Sequence, residues 1–349
     1  MMEAAFSLTG ANKSNGSGGT NGQKPDSRAA SDRGARRHLE GDIAGAQAEY
    51  MAALEADPNN ATAHNNLGFL MAQEGQLDEA VAHYERALEI DPQKSMAMAN
   101  MGIVQAAQGD DEAGVEWLRR AVEANPANIL ALDNLSRLLL KMGRLTEAEA
   151  AARIALETAP HEGRIYLTLG LAVAGQQRVS EAVEVFKRAV QLDPDSAYGW
   201  EQLGVALWLR QDMGSAADAL RRGLTLAPQS ASIHYNLAMV LLTKGDQEEA
   251  IEQLESILAI EPGHTGAQMD LAVLALSQGD AAGALSRLEV VLHGNPESPR
   301  AQFYRAVALD QLQRRDEAAG LMQALAGADT GKYSERARSY LAERNGKVS

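Results

Sequence analysis

The side chains that could do chemistry are few and far apart. Seven histidines, His38, His64, His83, His161, His234, His264 and His293, are spread along the chain with no HExxH pair among them. There is no cysteine, which excludes disulfides, zinc–thiolate sites and thiol nucleophiles. Carboxylates occur in pairs such as Asp110-Asp111 and Glu248-Glu249. Both pairs stand where a helix should begin, and a helix N-terminus attracts negative charge without any acid–base role. The glycine-rich stretch SLTGANKSNGSGGTNGQKPD lacks the Gly-Lys-Ser/Thr ending and the preceding strand of a phosphate loop. Catalysis needs such groups converged in one pocket. The spacing predicts no such constellation, so no catalytic residue, cofactor site or metal site is assigned.

Bulk properties narrow the partners. The net charge is −15, which disfavours nucleic acid and anionic membrane surfaces because phosphate binding needs a dense basic face. No apolar run reaches the ~20 residues of a bilayer span. The first residues lack a basic stretch followed by an apolar one, so no secretory signal is read and the expected location is cytoplasmic.

The elements that would position any site follow from a proline that returns every 34 residues: Pro58, Pro92, Pro126, Pro160, Pro194, Pro228, Pro262 and Pro296. A fixed period of this length is the mark of stacked repeats. In the unit 61–94, one apolar stripe links His64, Leu67, Gly68 and Met71, and a second links Ala80, Tyr84, Ala87 and Leu88. Both have the i, i+3/i+4, i+7 spacing of amphipathic helices. Gly75 marks the break between them, and Pro92 is read as the point where one unit closes and the next helix begins.

Two columns of small residues run through the units. One is Gly34, Gly68, Gly102, Ser136, Gly170, Gly204, Ala238, Ala272 and Ala306; the other is Ala46, Ala80, Gly114, Ala148, Ala182, Ala216, Ala250, Ala284 and Ala318. Small residues at one height on two helices predict close backbone approach. A third column, small from Ala53 to Gly223, becomes Ile257, Val291 and Leu325.

This set of columns, Leu67-Gly68, Gly75, Ala80, Tyr84, Ala87 and Pro92 with their equivalents, resembles the tetratricopeptide repeat family over roughly residues 27–332, about nine repeats. The resemblance implies an all-α fold: a right-handed α-solenoid superhelix of helix–turn–helix units starting near 27, 61, 95, 129, 163, 197, 231, 265 and 299. Residues 1–26 read as a disordered Gly/Ser/Asn-rich tail, and 333–349 as a C-terminal capping helix and tail. The basic first helix, RAASDRGARRH, is either frayed or a polar N-terminal cap, and Thr330 replaces the proline of the last unit.

The resemblance also implies that the first helices line a concave groove that binds protein or peptide segments. One first-helix column reads Asn66, Asn100, Asn134, Thr168, Gln202, Asn236 and Asp270. Each amide offers a donor and an acceptor to an extended backbone, although Asn here is also repeat consensus. Tyr198, Trp208 and Tyr235 are the expected aromatic anchors. The basic residues of a dicarboxylate clamp are missing at Asn65, Phe69 and Met96. The expectation is a non-enzymatic scaffold. A self-assembling solenoid forming a homo-oligomer, or an accessory subunit presenting substrate to a separate transferase or secretion machine, is the alternative.

Overall fold

The computed structural model describes residues 26–328 and 331–345. The glycine-rich stretch through residue 25, Thr330 and the C-terminal tail from 346 lie outside the described residues. The chain divides into two compact units, Met1–Pro194 and Asp195–Ser349.

Every regular element among the described residues is a helix. In the first unit the helices pair as α1 (Ser27–Leu39) with α2 (Ile43–Ala56), α3 (Ala61–Gln73) with α4 (Leu77–Ile90), and α5 (Ser95–Ala107) with α6 (Asp111–Ala124). Two more pairs follow, α7 (Ile129–Lys141) with α8 (Leu145–Thr158) and α9 (Gly163–Gly175) with α10 (Val179–Leu192). The second unit holds α11 (Ala197–Leu209) with α12 (Met213–Leu226), and α13 (Ala231–Lys244) with α14 (Gln247–Ile260). It continues with α15 (Thr265–Ser277) and α16 (Ala281–Gly294), α17 (Pro299–Gln311) and α18 (Arg315–Gly327), and a last helix α19 (Lys332–Asn345).

The starts of these helices are written in the sequence. Asn60, Asn128, Ser196, Ser230 and Ser298 cap first helices by accepting backbone N–H groups, and Asp42, Asp110, Asp212 and Asp280 do the same for second helices. Asp111 and Glu112 then lie in the first turn of α6, and Glu248 and Glu249 in that of α14, where the helix dipole favours them. The basic α1 is a formed helix: Asp26 caps it, and Ala30, Ser31 and Gly34 are buried against α2.

The proline sits differently from the sequence reading. It precedes the helix by three residues, as the second residue of a four-residue turn closed by bonds such as Asn60 N–H to Asp57 O (3.1 Å) and Asn128 N–H to Asn125 O (2.9 Å). That slot suits a ring locked near −65°, and a residue without N–H cannot prolong the preceding helix. Its carbonyl has a second use. His64, His234, Gln268 and Gln302, the fourth residues of their helices, reach back to the oxygens of Pro58, Pro228, Pro262 and Pro296 at 3.2, 3.0, 3.1 and 2.7 Å.

The two small columns meet at the heart of each hairpin. Ala46, Ala80, Ala148, Ala182, Ala216, Ala250, Ala284 and Ala318 are fully buried. The glycine column faces the large residues of the second helices: Gly34 meets Tyr50, Gly68 meets Tyr84, Gly102 meets Leu118, Gly170 meets Phe186 and Gly204 meets Leu220. Ile257, Val291 and Leu325 are buried as well. At the end of the second unit α19 lays Ala337, Tyr333, Tyr340 and Leu341 against Phe303, Met322 and Leu325, covering the last hairpin.

Candidate functional site: the face of the first helices

Within each unit, successive first helices touch one another as well as their partners: α1 with α3, α3 with α5, α5 with α7 and α7 with α9, then α11 with α13 and α15 with α17. Successive second helices make no comparable contact. The first helices are therefore the closer-spaced layer.

In the first unit the asparagine column is largely shielded. Asn66, Asn100 and Asn134 are 8, 3 and 9% exposed. Asn100 Nδ2 donates to Asn65 Oδ1 (3.0 Å), Asn65 Nδ2 donates to Asn66 Oδ1 (3.0 Å), and Asn134 Nδ2 donates to Leu130 O (2.8 Å). The amides thus form a relay between α3 and α5. Phe69 is buried, with its ring 5.1 Å from that of His38. Asp133 is completely buried, and Arg164 Nη2 from the next first helix stands 3.0 Å from its Oδ2. Burial pushes the Asp133 carboxyl up, and the arginines Arg164 and Arg137 pull it back.

In the second unit the column changes character. Asn236 Nδ2 donates to Glu201 Oε1 (2.8 Å), and Ser232 Oγ bonds the same oxygen. Tyr235 Oη donates to Asp270 Oδ2 (2.8 Å), while Arg300 Nη2 donates to Asp270 Oδ1 (2.7 Å). Burial, then the bond and the charge of Asp270, push the Tyr235 phenol up to about 12. Tyr198 is 50% exposed, and Trp208 is half-buried on the same helix. Leu276 is buried, and Met239, Leu242 and Val273 are partly buried against core clusters, so this part of the apolar column packs between hairpins.

The residues singled out in the sequence do lie on first helices: Asn100, Asn236 and Tyr235 take part in hydrogen-bonded links between neighbouring repeats, whereas Asn66 and Asn134 bond within their own helices. The residues that complete these links or form a parallel one, Asp133, Arg164, Glu201, Ser232 and Arg300, are absent from the sequence reading, and Asn65 enters it only as a position without a clamp's basic side chain. For Asn65, Asp133 and Glu201 the signal was the column one residue before the asparagines, which alternates between polar and apolar types and so shows no consensus; Arg164, Ser232 and Arg300 stand apart from it, as second residues of their helices. No group of three or more His, Asp or Glu side chains among the described residues could hold a metal ion, and no described helix is long and apolar enough to cross a membrane.

Models of the tetratricopeptide repeat match residues 59–127, 134–197, 201–265 and 269–333, and a TPR repeat model matches 34–75. No curated protein matches the sequence. Among solved structures, pilF of Pseudomonas aeruginosa is 21% identical with a TM-score of 0.54, covering 61% of this chain and 96% of that chain. The Cut9–Hcn1 assembly of the APC/C is 17% identical with a TM-score of 0.53, covering 83% of this chain and 57% of that one. YrrB, described as a TPR protein with an unusual peptide-binding site, is 21% identical over 53% of this chain and 95% of its own, with a TM-score of 0.47. At these identities the likenesses concern the fold alone.

Proposed function

We propose a binding role for a chain that belongs to the tetratricopeptide repeat family: a non-enzymatic scaffold whose first-helix faces hold an extended, partly apolar segment of a partner protein. Proteins of this family generally bind protein or peptide partners. The observation that carries the reading is Tyr198, an aromatic side chain left 50% exposed on a first helix whose neighbouring polar groups are already fixed by bonds. A rigid amphipathic ring on a preorganised surface is what dominates binding energy at interfaces.

In the first unit Asn66, Asn100 and Asn134 would meet the partner backbone; in the second, Asn236 would do so, with Tyr198, Trp208 and Tyr235 taking side chains. The internal bonds fix the orientation of each amide on its helix. The test is to capture partners with the full chain, identify them by mass spectrometry, and measure affinity for the purified partner. Y198A should weaken binding by about tenfold or more. Joint replacement of the four asparagines by alanine should weaken it further, with thermal melts separating lost contacts from lost fold. Unchanged affinity in both variants would refute the reading.

A further inference from the structure

Asp133, Glu201 and Asp270 are carboxylates on the first-helix face, and two of them have an arginine. Arg164, the second residue of α9, pairs with Asp133 at 3.0 Å, and Arg300, the second residue of α17, pairs with Asp270 at 2.7 Å. Glu201 stands where Asp133 stands, fifth in its helix, and the residue in the arginine's place 31 positions on is Ser232. Glu201 is only 8% exposed, yet it is held by neutral donors alone, the Ser232 hydroxyl and the Asn236 amide. Both go to Oε1; among the described residues Oε2 accepts no bond, and no Lys, Arg or His pairs with it.

A carboxylate this shielded normally has a cationic partner. One turn earlier on the same helix lies Tyr198, half exposed, its phenol pushed up by burial and by the charge of Glu201. A carboxylate beside an open aromatic ring is complementary to an ammonium or guanidinium group, which gains both the ion pair and the cation–π contact.

We propose that Glu201 and Tyr198 form a subsite for a lysine or arginine side chain of the segment bound on the first-helix face of the second unit. The inference rests on the scaffold reading above and names the chemistry of its partner. The bound cation takes the place that Arg164 fills for Asp133. Partner segments would thus combine apolar residues with one obligatory basic residue.

A displayed library of random dodecapeptides, selected on the full chain, tests this. The expected result is a set of apolar peptides sharing a lysine or arginine at one position. Replacing that residue by glutamine should weaken binding to the native chain by about tenfold or more, the strength of a charge-assisted bond. The same replacement should matter less than about twofold in E201Q, which keeps an acceptor for Ser232 and Asn236, and in S232R, which supplies the arginine from within. Selected peptides with no basic position, or a preference undiminished in E201Q, would overturn the subsite and leave the scaffold reading standing. Failure to select any peptide on a folded chain would overturn both.

Discussion

A Cβ built on Gly170 would stand 2.5 Å from Cε1 of Phe186, closer than carbon atoms approach in real packing. The two residues sit across one hairpin, α9 against α10, and the same opposition recurs as Gly34 with Tyr50 and Gly68 with Tyr84. Where the second helix carries Leu254, Leu288 or Met322, the first helix carries Ala238, Ala272 or Ala306 at the matching height, all buried. Ser136 pairs in the same way with the small Ala152. At these joints volume is exchanged across the hairpin, although Leu118 and Leu220 face the glycines Gly102 and Gly204.

G170A should therefore destabilise the first unit by about 1–3 kcal/mol, the usual cost of overpacking. Adding F186L recreates the Ala238–Leu254 pair and should recover most of the loss. Urea midpoints of the two variants decide it; equal stability of G170A and the native chain would contradict the close approach.

Arg164 is the partner of a fully buried carboxylate, Asp133. Removing one side of such a pair leaves an uncompensated charge, so R164A should cost about 3 kcal/mol. D133N/R164A should be closer to the native chain than R164A alone. A double-mutant cycle by chemical denaturation measures the coupling; additive effects would show that the ion pair contributes nothing.

His64 and His83 face each other with their Nδ1 atoms 3.1 Å apart. His64 Nε2–H must donate to Pro58 O, so its Nδ1 is the acceptor and His83 Nδ1–H the donor. Burial holds both below the usual 6.5; the charge of Arg86 adds to this at His64, and the neighbouring His64 does so at His83. The folded-state values are depressed, so the stabilising contribution is complete above 6.5 and is lost as pH falls through the folded values. Urea midpoints of the first unit should drop as pH falls below about 6.5, and less steeply in H83Q, which copies the pairing of His234 with Gln253. Half-buried His38, also depressed by desolvation, would supply the residual slope.

Gln211 has a positive φ of 68° at the hairpin turn where Gly143 and Gly245 have 74° and 98°. A side chain in this region costs about 1–2 kcal/mol, partly offset by the extra freedom glycine gains when unfolded. Q211G should thus raise the stability of the second unit by up to about 1 kcal/mol. A lower melting temperature would contradict the strain.

The helices, their pairing and the buried columns were legible because a 34-residue period repeats the same burial pattern nine times, so consensus separates core from noise. Pro58 was misplaced by a few residues because a proline suits a turn as well as a helix start, and only the bond from Asn60 N–H to Asp57 O tells them apart. The links Asn100–Asn65, Asn236–Glu201 and Tyr235–Asp270–Arg300 were not legible. They join residues about one repeat apart whose types differ from unit to unit, and a repeat consensus averages such pairs away. Glu201 escaped notice for that reason: it matters through the arginine that Ser232 is not.

Hydrogen exchange of the full chain, free and bound to a selected peptide or captured partner, tests the central claim most directly. Binding on the first-helix face predicts slowed exchange in α11 and α13 around Tyr198, Glu201 and Tyr235, with α12 and α14 unchanged. Protection confined to the second helices, or absent from the first helices altogether, would contradict it.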